Sequence, residues 1–466
     1  MKNILAGLLI FLLVACDGSL NRALPFPTPA QQDLIVLTTT GPLTYNADET
    51  SEASGLEHDL IEAFAKELGV GVEYRVTTSA DLPKRIAAGE AHLAIGWLDL
   101  PSNNNIKATP PILQSRDILI QHEATLPISE PDELHHKTIH ALSGSRQLNT
   151  LRNLQKTVPG LKVVEVKDED IFDLLESVAD QEYPLAVIDS TLTDIATQLN
   201  PSLQTSLELS GDLPIVWWLG EKPNIELLTR LNAFVEKAQH DGTLARIEDR
   251  YFGHVRRLKQ ADIIKFLGRT ETVLPKLRPD FIAAQSISGI DWRLIAAVAY
   301  HESQWESEAT SPTGVRGIMM LTEETADRLG VKNRLDPRES ILAGARYINI
   351  LKDLQPDGVR EPDRTWLALA AYNIGPGSFN AARSLAKQLG ADPTAWYEMK
   401  RILPLLAKPN YYQRLKSGRV RGGEAVILVE NIRSYYDILV RNESAFQTQA
   451  PRMQNLSGAP GLKLKR

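Results

Sequence analysis

The sequence is poor in cysteine, in long apolar runs and in net positive charge, and each shortage narrows what the protein can be. Cys16 is the sole cysteine among 466 residues, so no disulfide can form within the chain. The longest apolar run, residues 4–15, is shorter than the roughly 20 residues that cross a bilayer. A net charge of −7 provides no broad basic face, which argues against nucleic acid as a partner. The length predicts two to four domains.

The N-terminus has the pattern of an export signal. Lys2 precedes the apolar run, and residues 1–15 are expected to be a signal peptide. The run ends Leu-Val-Ala-Cys, which resembles a lipobox and implies lipidation of Cys16; a plain signal peptide with an incidental cysteine is the alternative. We therefore expect an exported protein at the periplasmic face, attached to the inner leaflet of the outer membrane. Asp17 keeps the inner membrane open as an alternative.

After a proline-bearing tether at residues 16–32, residues 33–268 alternate between strand and helix patterns. Short apolar runs alternate with stretches of helical spacing, which is typical of an α/β domain with a mostly parallel sheet. The expected strands are 34–37, 70–76, 91–97, 138–142, 185–188 and 215–219, and the expected helices are 56–68 with Gly69 as its C-cap, 82–88, 171–179 and 225–238.

This half resembles the family-3 extracellular solute-binding proteins, which have two α/β lobes with the ligand between them. The resemblance rests on the opening strand and the segments 55–60, 89–93, 144–145, 186–190 and 241–252. It implies that Asp189 holds a ligand ammonium group and that Ser145 lies in the same regulatory ligand site; a purely structural cap is the alternative for Asp189. Amino-acid-binding members carry an Arg after the third strand, but residues 98–105 contain none. A wall-derived peptide is the expected ligand.

The second half is almost entirely helical by pattern. A basic connector at 255–268 is expected to be a solvated linker helix, the catalytic domain to span 269–445, and residues 446–466 to form a disordered tail. The fold class is thus multidomain, with a two-lobed α/β unit followed by a mostly α unit. The expected helices are 276–288, 291–304, 322–328, 339–355, 365–373, 378–388, 393–407 and 424–441.

Glu302 is the candidate catalytic residue. Asp291 caps a helix whose apolar stripe includes Ile295 and Val298, and Glu302 continues that stripe in the last turn. Burial and the negative end of the helix both disfavour its charge, so its pKa is expected to be raised, as a general acid requires. The alternative is a structural ion pair with Arg316 or Arg346.

Three motifs accompany this glutamate. They are Glu302-Ser303, Gly317-Ile-Met319-Met320 and the segment 370–377, Ala-Ala-Tyr-Asn-Ile-Gly-Pro-Gly. In this order and spacing they resemble the soluble-type lytic murein transglycosylases, which have a goose-lysozyme-like fold. The whole chain resembles membrane-bound members that carry a solute-binding half in front.

The resemblance implies the site residues and the reaction. Ser303, Met319, Met320, Tyr372 and Asn373 are expected to bind substrate. The single acid and base, Glu302, is expected to cleave the bond between N-acetylmuramic acid and N-acetylglucosamine in peptidoglycan and to leave 1,6-anhydromuramic ends. No metal or cofactor is expected, since His301 is isolated and Glu306 and Glu308 are expected to be solvated.

Two departures from the family pattern stand beside these expectations. Met320 replaces a common Gln, and Leu428 replaces a Tyr whose hydroxyl is expected near the catalytic glutamate. Two other functions remain open at this point. One is a hydrolase of lysozyme type with the same fold, and the other is a non-catalytic receptor for peptidoglycan or muropeptides.

Overall fold

A computed structural model describes residues 24–29, 32–47, 53–255, 257–312, 314–415 and 418–446. Contacts divide the chain into two compact units, the first ending at Tyr251 and the second comprising Phe252 onward together with Thr197–Pro201. The expected signal peptide, Cys16 and residues 447–466 of the expected tail lie outside the described residues. The division falls earlier in the chain than the expected boundary between residues 268 and 269.

The first unit contains eleven strands and seven helices within the described ranges, and its helix Thr193–Leu199 runs into the segment Thr197–Pro201 that is grouped with the second unit. Its strands are β1 Leu34–Thr38, β2 Val72–Val76, β3 Leu93–Leu98, β4 Ile106–Ala108, β5 Leu113–Ser115, β6 Asp117–His122, β7 Thr138–Leu142, β8 Lys162–Val166, β9 Ala186–Asp189, β10 Leu203–Glu208 and β11 Leu213–Gly220. Its helices are α1 Leu56–Leu68, α2 Leu82–Ala87, α3 Arg146–Gln155, α4 Ile171–Ala179, α5 Thr193–Leu199, α6 Ile225–His240 and α7 Thr243–Phe252. Short 3₁₀ helices occupy Pro131–Leu134 and Ser190–Leu192.

Each lobe of this unit is built on one sheet. The first sheet has the order β2-β1-β3-β11-β4, with β5 also pairing with β11, and the second has the order β10-β6-β9-β7-β8. The chain passes from the first sheet to the second between Ser115 and Asp117 and returns between Glu208 and Leu213. This two-lobed α/β architecture confirms the expected fold class of the first half.

The expectation of mostly parallel sheets is wrong. β1 runs parallel to β2 and β3, but β11 is antiparallel to all three of its neighbours. In the second sheet β7 is parallel to β8 and β9, whereas β6 is antiparallel to β9 and β10. The reason is topological: β6 and β11 each enter a sheet directly from the other lobe, without a crossover helix that would reverse the chain.

The apolar spacing read from the sequence accounts for the helices that cover the sheets. In α1, Leu60, Ile61 and Phe64 are buried, and Gly69 ends the helix at φ 72°, as expected. Residues 24–29, at the end of the expected tether, pack on this unit: Leu24 joins the core of the first sheet, and the carbonyl of Pro25 contacts Nε2 of His92 at 3.0 Å.

The second unit is mostly α-helical, as expected. Its helices are α8 Gln260–Thr272, α9 Leu274–Ser288, α10 Trp292–Ser303, α11 Glu323–Leu329, α12 Pro337–Asp353, α13 Asp363–Ile374, α14 Pro376–Gln388, α15 Trp396–Ile402, α16 Pro409–Tyr412 and α17 Gly422–Asn442. The single helix expected over 393–407 is instead α15 followed by a 3₁₀ helix, Leu403–Ala407. Pro404 explains the break, because proline lacks the amide hydrogen that would continue the α-helix.

The expected linker helix is present, but it is not solvated on all sides. α8 occupies this stretch, and its Phe266 is fully buried against the rings of Tyr300, Trp305 and Tyr435. Ile263, one turn earlier, is buried as well. The prediction rested on the basic side chains of this stretch. The packing is instead determined by Ile263 and Phe266, which lie at i and i+3 on one face of the helix.

No helix in the described ranges is by itself both long enough and apolar enough to cross a membrane; the pair α9 and α10 meets the test only jointly, with a bend of 119° between them.

Candidate active site

α10 places Glu302 at the end of a buried helix. The Asp291 side chain accepts a hydrogen bond from the amide of Arg293 at 2.9 Å, which confirms the expected N-cap. Residues 294–300 are all buried, so the helix is fixed on every side. The helix ends because Gln304 adopts a left-handed conformation with φ 53°. Glu302 therefore projects from a rigid element just before the chain turns away.

Burial raises the pKa of Glu302 to about 8. Glu302 is half-buried, and within the described residues its side chain has neither a hydrogen bond nor an ion pair that would favour its charged form. Arg316 and Arg346, the expected partners of a structural role, are exposed and do not pair with it. The raised pKa confirms the expectation from the sequence, and it keeps the carboxyl group largely protonated at neutral pH.

The loop after α10 is held by main-chain hydrogen bonds. Arg316 and Leu321 form a short antiparallel bridge, and the amide of Met320 donates to the carbonyl of Gly317 at 3.0 Å. Gly317 has φ 81°, and a Cβ at this position would lie 1.8 Å from the carbonyl oxygen of Arg334. Only glycine fits there, so this residue fixes where the loop lies beside the end of α10.

Three hydroxyl groups from three helices hold two consecutive residues of this loop, and we call them the three-hydroxyl clamp. Ser303 of α10 donates to the carbonyl of Ile318 at 2.8 Å, and Tyr372 of α13 donates to the carbonyl of Met319 at 2.5 Å. Ser340 of α12 accepts from the amide of Met319 at 3.3 Å. The clamp thus joins the loop to all three helices.

The two methionines of the loop differ in their placement. The side chain of Met319 is fully buried and lies against Gly344 of α12, where an added Cβ would approach it to 2.5 Å. Met320 is partly exposed and adopts φ 47°. A left-handed methionine is uncommon and strained, and such strain concentrates at functional sites. Met320 is therefore the methionine of this pair that a ligand can reach.

Tyr372 and Asn373 lie in the last turn of α13. Tyr372 is partly buried; its pKa is raised well above the ordinary value, first by burial and next by the charge of nearby Glu302. Asn373 is exposed, and the helix ends at the next residue, Ile374, followed by Gly375 with φ 80°. The structure therefore brings Tyr372 to Glu302 and leaves the Asn373 amide open to solvent.

The remaining candidates near Glu302 are accounted for separately. Burial lowers the pKa of His301 to about 4, so its imidazole is neutral at pH 7. Glu306 and Glu308 are both exposed, as expected. The described parts of the chain hold no group of three or more His, Cys, Asp or Glu side chains that could bind a metal ion. Leu428 of α17 is buried and brings no hydroxyl to the site.

Sequence reasoning missed two contributors to this site. Tyr347 of α12 lies against Tyr372 with ring centroids 5.4 Å apart, and Trp305 follows Gln304 in a second left-handed conformation with φ 63°. Trp305 donates its indole N–H to the carbonyl of Ala296 at 2.8 Å, which ties the turn back to α10. The tyrosine pair joins distant segments and has no local signal, but an aromatic residue directly after the Glu-Ser motif could have been noted.

Gly317→Ala is expected to unfold or displace the loop. A matched change, Gly314→Ala, forces a methyl group onto a backbone with φ 83° but meets no atom within 4 Å. We expect Gly314→Ala to cost about 1–2 kcal/mol of unfolding free energy from backbone strain alone. The clash at Gly317 should cost about 3 kcal/mol or more. Thermal denaturation monitored in the second unit tests this; equal losses would show that the close approach to Arg334 is unimportant.

In the first unit Asp189 is fully engaged. One carboxylate oxygen accepts from the Ser115 hydroxyl at 2.6 Å and from the Thr191 amide at 2.8 Å. The other accepts from the Trp97 indole at 2.6 Å and from Arg146 at 2.7 Å. These donors fill the four acceptor positions of a carboxylate. Trp97 belongs to the first sheet and Asp189 to the second, so this hydrogen bond joins the two lobes.

Ser145 has a local role in the same region. Its hydroxyl accepts from the amide of Leu148 at 3.2 Å and caps α3. Gly144, one residue earlier, has φ 69°, and a Cβ there would lie 2.8 Å from Cβ of Ser79 in the other lobe. The lobes therefore approach closely at this turn, and glycine is required for that approach.

Comparison with known families assigns each half. The family model for the transglycosylase SLT domain matches residues 280–394, and that for bacterial extracellular solute-binding proteins, family 3, matches residues 34–254. Together with the two-lobed first unit and the unpaired Glu302 in the described part of the second, these matches define a class of protein. The chain joins a solute-binding-type unit to a transglycosylase-type helical unit.

Full-length relatives identify the family within that class. The membrane-bound lytic murein transglycosylase F of Methylobacillus flagellatus is 39% identical over 98% of this chain and 98% of its own. The protein of the same name from Nitrosospira multiformis is 40% identical over 94% of this chain and 92% of its own. The chain belongs to the membrane-bound lytic murein transglycosylase F family, which confirms the resemblance read from its motifs.

Solved structures of amino-acid-binding proteins match about half of the chain. An ancestral arginine-binding protein bound to arginine covers 47% of this chain and 98% of its own, with 21% identity and a TM-score of 0.42. A substrate-binding protein of an amino acid ABC transporter from Streptococcus pneumoniae, bound to L-arginine, covers 47% and 94%, with 18% identity and a TM-score of 0.43.

Proposed function

We propose that this protein is a lytic transglycosylase that cleaves the β-1,4 bond between N-acetylmuramic acid and N-acetylglucosamine of murein, with Glu302 as its single acid and base. The family supports the class of reaction. The observation that carries the residue assignment is a carboxyl group with a pKa of about 8 and no hydrogen-bond or ion-pair partner in the described chain. Such a group can donate a proton at neutral pH.

The reaction proceeds in two steps that return the enzyme to its starting state. Glu302 first gives its proton to the glycosidic oxygen, the bond from that oxygen to C1 of the muramic residue breaks, and N-acetylglucosamine departs with a free hydroxyl. The carboxylate of Glu302 then removes the proton from the C6 hydroxyl of the same muramic residue. The C6 oxygen then bonds to C1 and closes the 1,6-anhydro ring. No water is consumed, so no carboxylate is needed to activate one, and the acetamide group of the muramic residue stabilises C1 between the two steps in place of a nucleophilic carboxylate.

The surrounding residues have distinct roles in this proposal. Tyr372 and Ser303 hold the loop at residues 317–321 through the three-hydroxyl clamp, and Met320 contacts the sugar from that loop. Asn373 hydrogen-bonds the substrate from the open end of α13. Met319 supports the loop from the core, where its side chain is buried.

We further propose where the enzyme acts and what regulates it. The relatives are membrane-bound by name, which supports a place at the periplasmic side of the cell envelope. Lipidation at Cys16 would attach the chain to the inner leaflet of the outer membrane, and Asp17 leaves the inner membrane as the other site. The first unit would bind a wall-derived peptide between its lobes, near Asp189 and Ser145.

The identity of the product ends tests the reaction. Purified murein digested by the protein should release fragments with 1,6-anhydromuramic ends, each lighter by one water molecule than the hydrolysed fragment. Mass spectrometry distinguishes the two. Reducing ends would instead make the protein a hydrolase of lysozyme type. Binding to murein without any release would indicate a non-catalytic receptor.

A further inference from the structure

The turn directly after Glu302 and Ser303 consists of two consecutive left-handed residues, Gln304 with φ 53° and Trp305 with φ 63°. Left-handed backbone is unfavourable for any residue with a Cβ, so such a pair persists only where the surrounding contacts hold it. The amide of Glu306 donates to the carbonyl of Ser303 at 3.0 Å and closes the turn. The contacts that hold this turn therefore also fix the end of α10.

Trp305 lies in an aromatic cluster that we define as Phe266, Tyr300, Trp305 and Tyr435. The ring centroid of Phe266, which is fully buried, lies 4.4 Å from that of Tyr300, 4.7 Å from that of Tyr435 and 5.5 Å from that of Trp305. Trp305 also meets Tyr300 edge-on, with centroids 4.9 Å apart. These separations are typical of attractive aromatic pairs. Phe266 contacts all three other rings and so packs α8 against the turn.

Polar side chains of α8 contact the other residues of the turn. The exposed ammonium group of Lys265 donates to the side-chain oxygen of Gln304 at 2.6 Å. One turn further along α8, the guanidinium group of Arg269 lies 3.9 Å from the carboxylate of Glu306. Exposed polar contacts of this kind contribute little to stability, so the buried ring of Phe266 is expected to dominate.

We propose that α8 positions the catalytic carboxyl group. The ring of Phe266 holds Trp305 in its left-handed conformation, and the turn formed in this way fixes the end of α10 that carries Glu302. Phe266 and Lys265 act through the turn, so they are positioning residues. The family model for the transglycosylase domain begins at residue 280, so α8 lies outside the matched segment. The inference rests on the proposed role of Glu302.

A role limited to filling the core predicts a different outcome. In that case the loss of the Phe266 ring would affect activity only through the stability of the unit. If α8 positions Glu302, a looser turn instead displaces the carboxyl group and exposes it to water. Burial is what raises the pKa of Glu302 to about 8, so exposure should lower that pKa. The pH dependence of the reaction therefore distinguishes the two roles.

The test uses the full chain and soluble glycan strands prepared from purified murein by amidase digestion. Phe266→Leu keeps an apolar side chain but removes the ring. Phe281→Leu makes the same change at an equally buried position of α9, outside the cluster. Both variants are assayed well below their melting temperatures, so that differences in stability do not enter the rates.

Phe266→Leu should lower kcat by about tenfold or more, because a displaced catalytic group reacts poorly. Its KM should change by less than about threefold, since the defect is in the chemical step. The limb of kcat/KM that is expected near pH 8 should move to lower pH. Phe281→Leu should retain the kcat and the pH limb of the wild type. Equal kcat and equal pH limbs in the two variants would overturn the proposal.

A surface variant keeps the test decisive if Phe266→Leu does not fold. Lys265→Met removes the ammonium group that holds Gln304, and Lys276→Met removes an exposed ammonium group of α9. Lys265→Met should lower kcat by about two- to fivefold, and Lys265→Arg should restore most of this loss, because a guanidinium group can also donate to Gln304. Lys276→Met should leave kcat unchanged. With Phe266→Leu unfolded, full kcat in Lys265→Met would refute the positioning role.

The product ends separate this inference from the proposed function. Wild-type protein that releases anhydro ends, with Phe266→Leu behaving as Phe281→Leu does, would refute this inference alone. Wild-type protein that releases no such ends would refute the proposed function, whatever the variants show.

Discussion

Glu302→Gln is expected to abolish murein cleavage, with a loss of at least about 1,000-fold in turnover, because the same carboxyl group gives and takes a proton in the two steps. Glutamine has nearly the same shape but can do neither. The release of soluble fragments from purified murein, followed by mass spectrometry, measures the loss. Residual activity within tenfold of the wild type would show that another group is the acid.

The stability of this variant separates a chemical defect from misfolding. The folded state raises the pKa of Glu302 from 4.5 to about 8, so it binds this proton more tightly than the unfolded chain does. Stability from this group is therefore greatest below pH 4.5 and is lost as the pH rises toward 8. Glutamine is never ionised, so the variant does not have the cost of burying a charged carboxylate at high pH. We expect the variant to gain about 0.5–2 kcal/mol at pH 8 and less at pH 5.

The same pKa predicts the pH dependence of the wild type. The free enzyme must begin with Glu302 protonated, so kcat/KM should fall as the pH rises through about 8. His301 does not interfere, because its pKa is lowered to about 4 and it stays neutral over this range. Initial rates between pH 6 and 9.5 test this expectation. A limb near pH 4.5 instead would mean that Glu302 is ionised at the start of the reaction.

The second large effect is expected at the three-hydroxyl clamp. Tyr372→Phe removes the hydrogen bond to the carbonyl of Met319, and Ser303→Ala removes the one to Ile318. Each should lower kcat by about 10- to 100-fold, because the loop beside Glu302 would shift. Since both hydroxyls hold adjacent peptide groups, the double variant should lose less than the product of the two single losses.

A matched tyrosine keeps this comparison specific. Tyr397 of α15 is partly buried, and its hydroxyl makes no hydrogen bond within the described chain, so Tyr397→Phe should leave kcat unchanged. Losses that multiply in the Ser303 and Tyr372 double variant would mean that the two hydroxyls act independently. The clamp would then be two separate contacts and would not position the loop as one unit.

Much of the fold follows from local patterns in the sequence. The spacing of Leu60, Ile61 and Phe64 predicts α1, and Asp291 predicts the start of α10, because these signals are carried by neighbouring residues. The antiparallel insertion of β11 was not predictable in this way. The direction of β11 depends on how the chain returns from the second lobe, and residues 213–220 carry no local sequence signal for that direction.

For the candidate sites too, features that depend on neighbouring residues could be predicted, and contacts between distant segments could not. Glu302 and its raised pKa could be inferred because the stripe that buries it lies on its own helix. The partners of Asp189 could not, since Trp97, Ser115 and Arg146 meet it from distant segments of the chain. Ser303 was expected to bind substrate, but whether its hydroxyl faces the glycan or the loop is a matter of tertiary packing.

The clamp also bears on how this loop can evolve. Its hydroxyls bond two main-chain carbonyls and one main-chain amide, and these groups do not depend on the side chains of the loop. The shape of the loop is therefore set by residues of the surrounding helices. Position 320 has φ 47°, so it can exchange one side chain without a β-branch for another while the backbone of the loop stays the same. Met320, expected from the family pattern to be a glutamine, is the kind of exchange that such an arrangement permits, and a lineage could alter its sugar preference there while its catalytic geometry is kept.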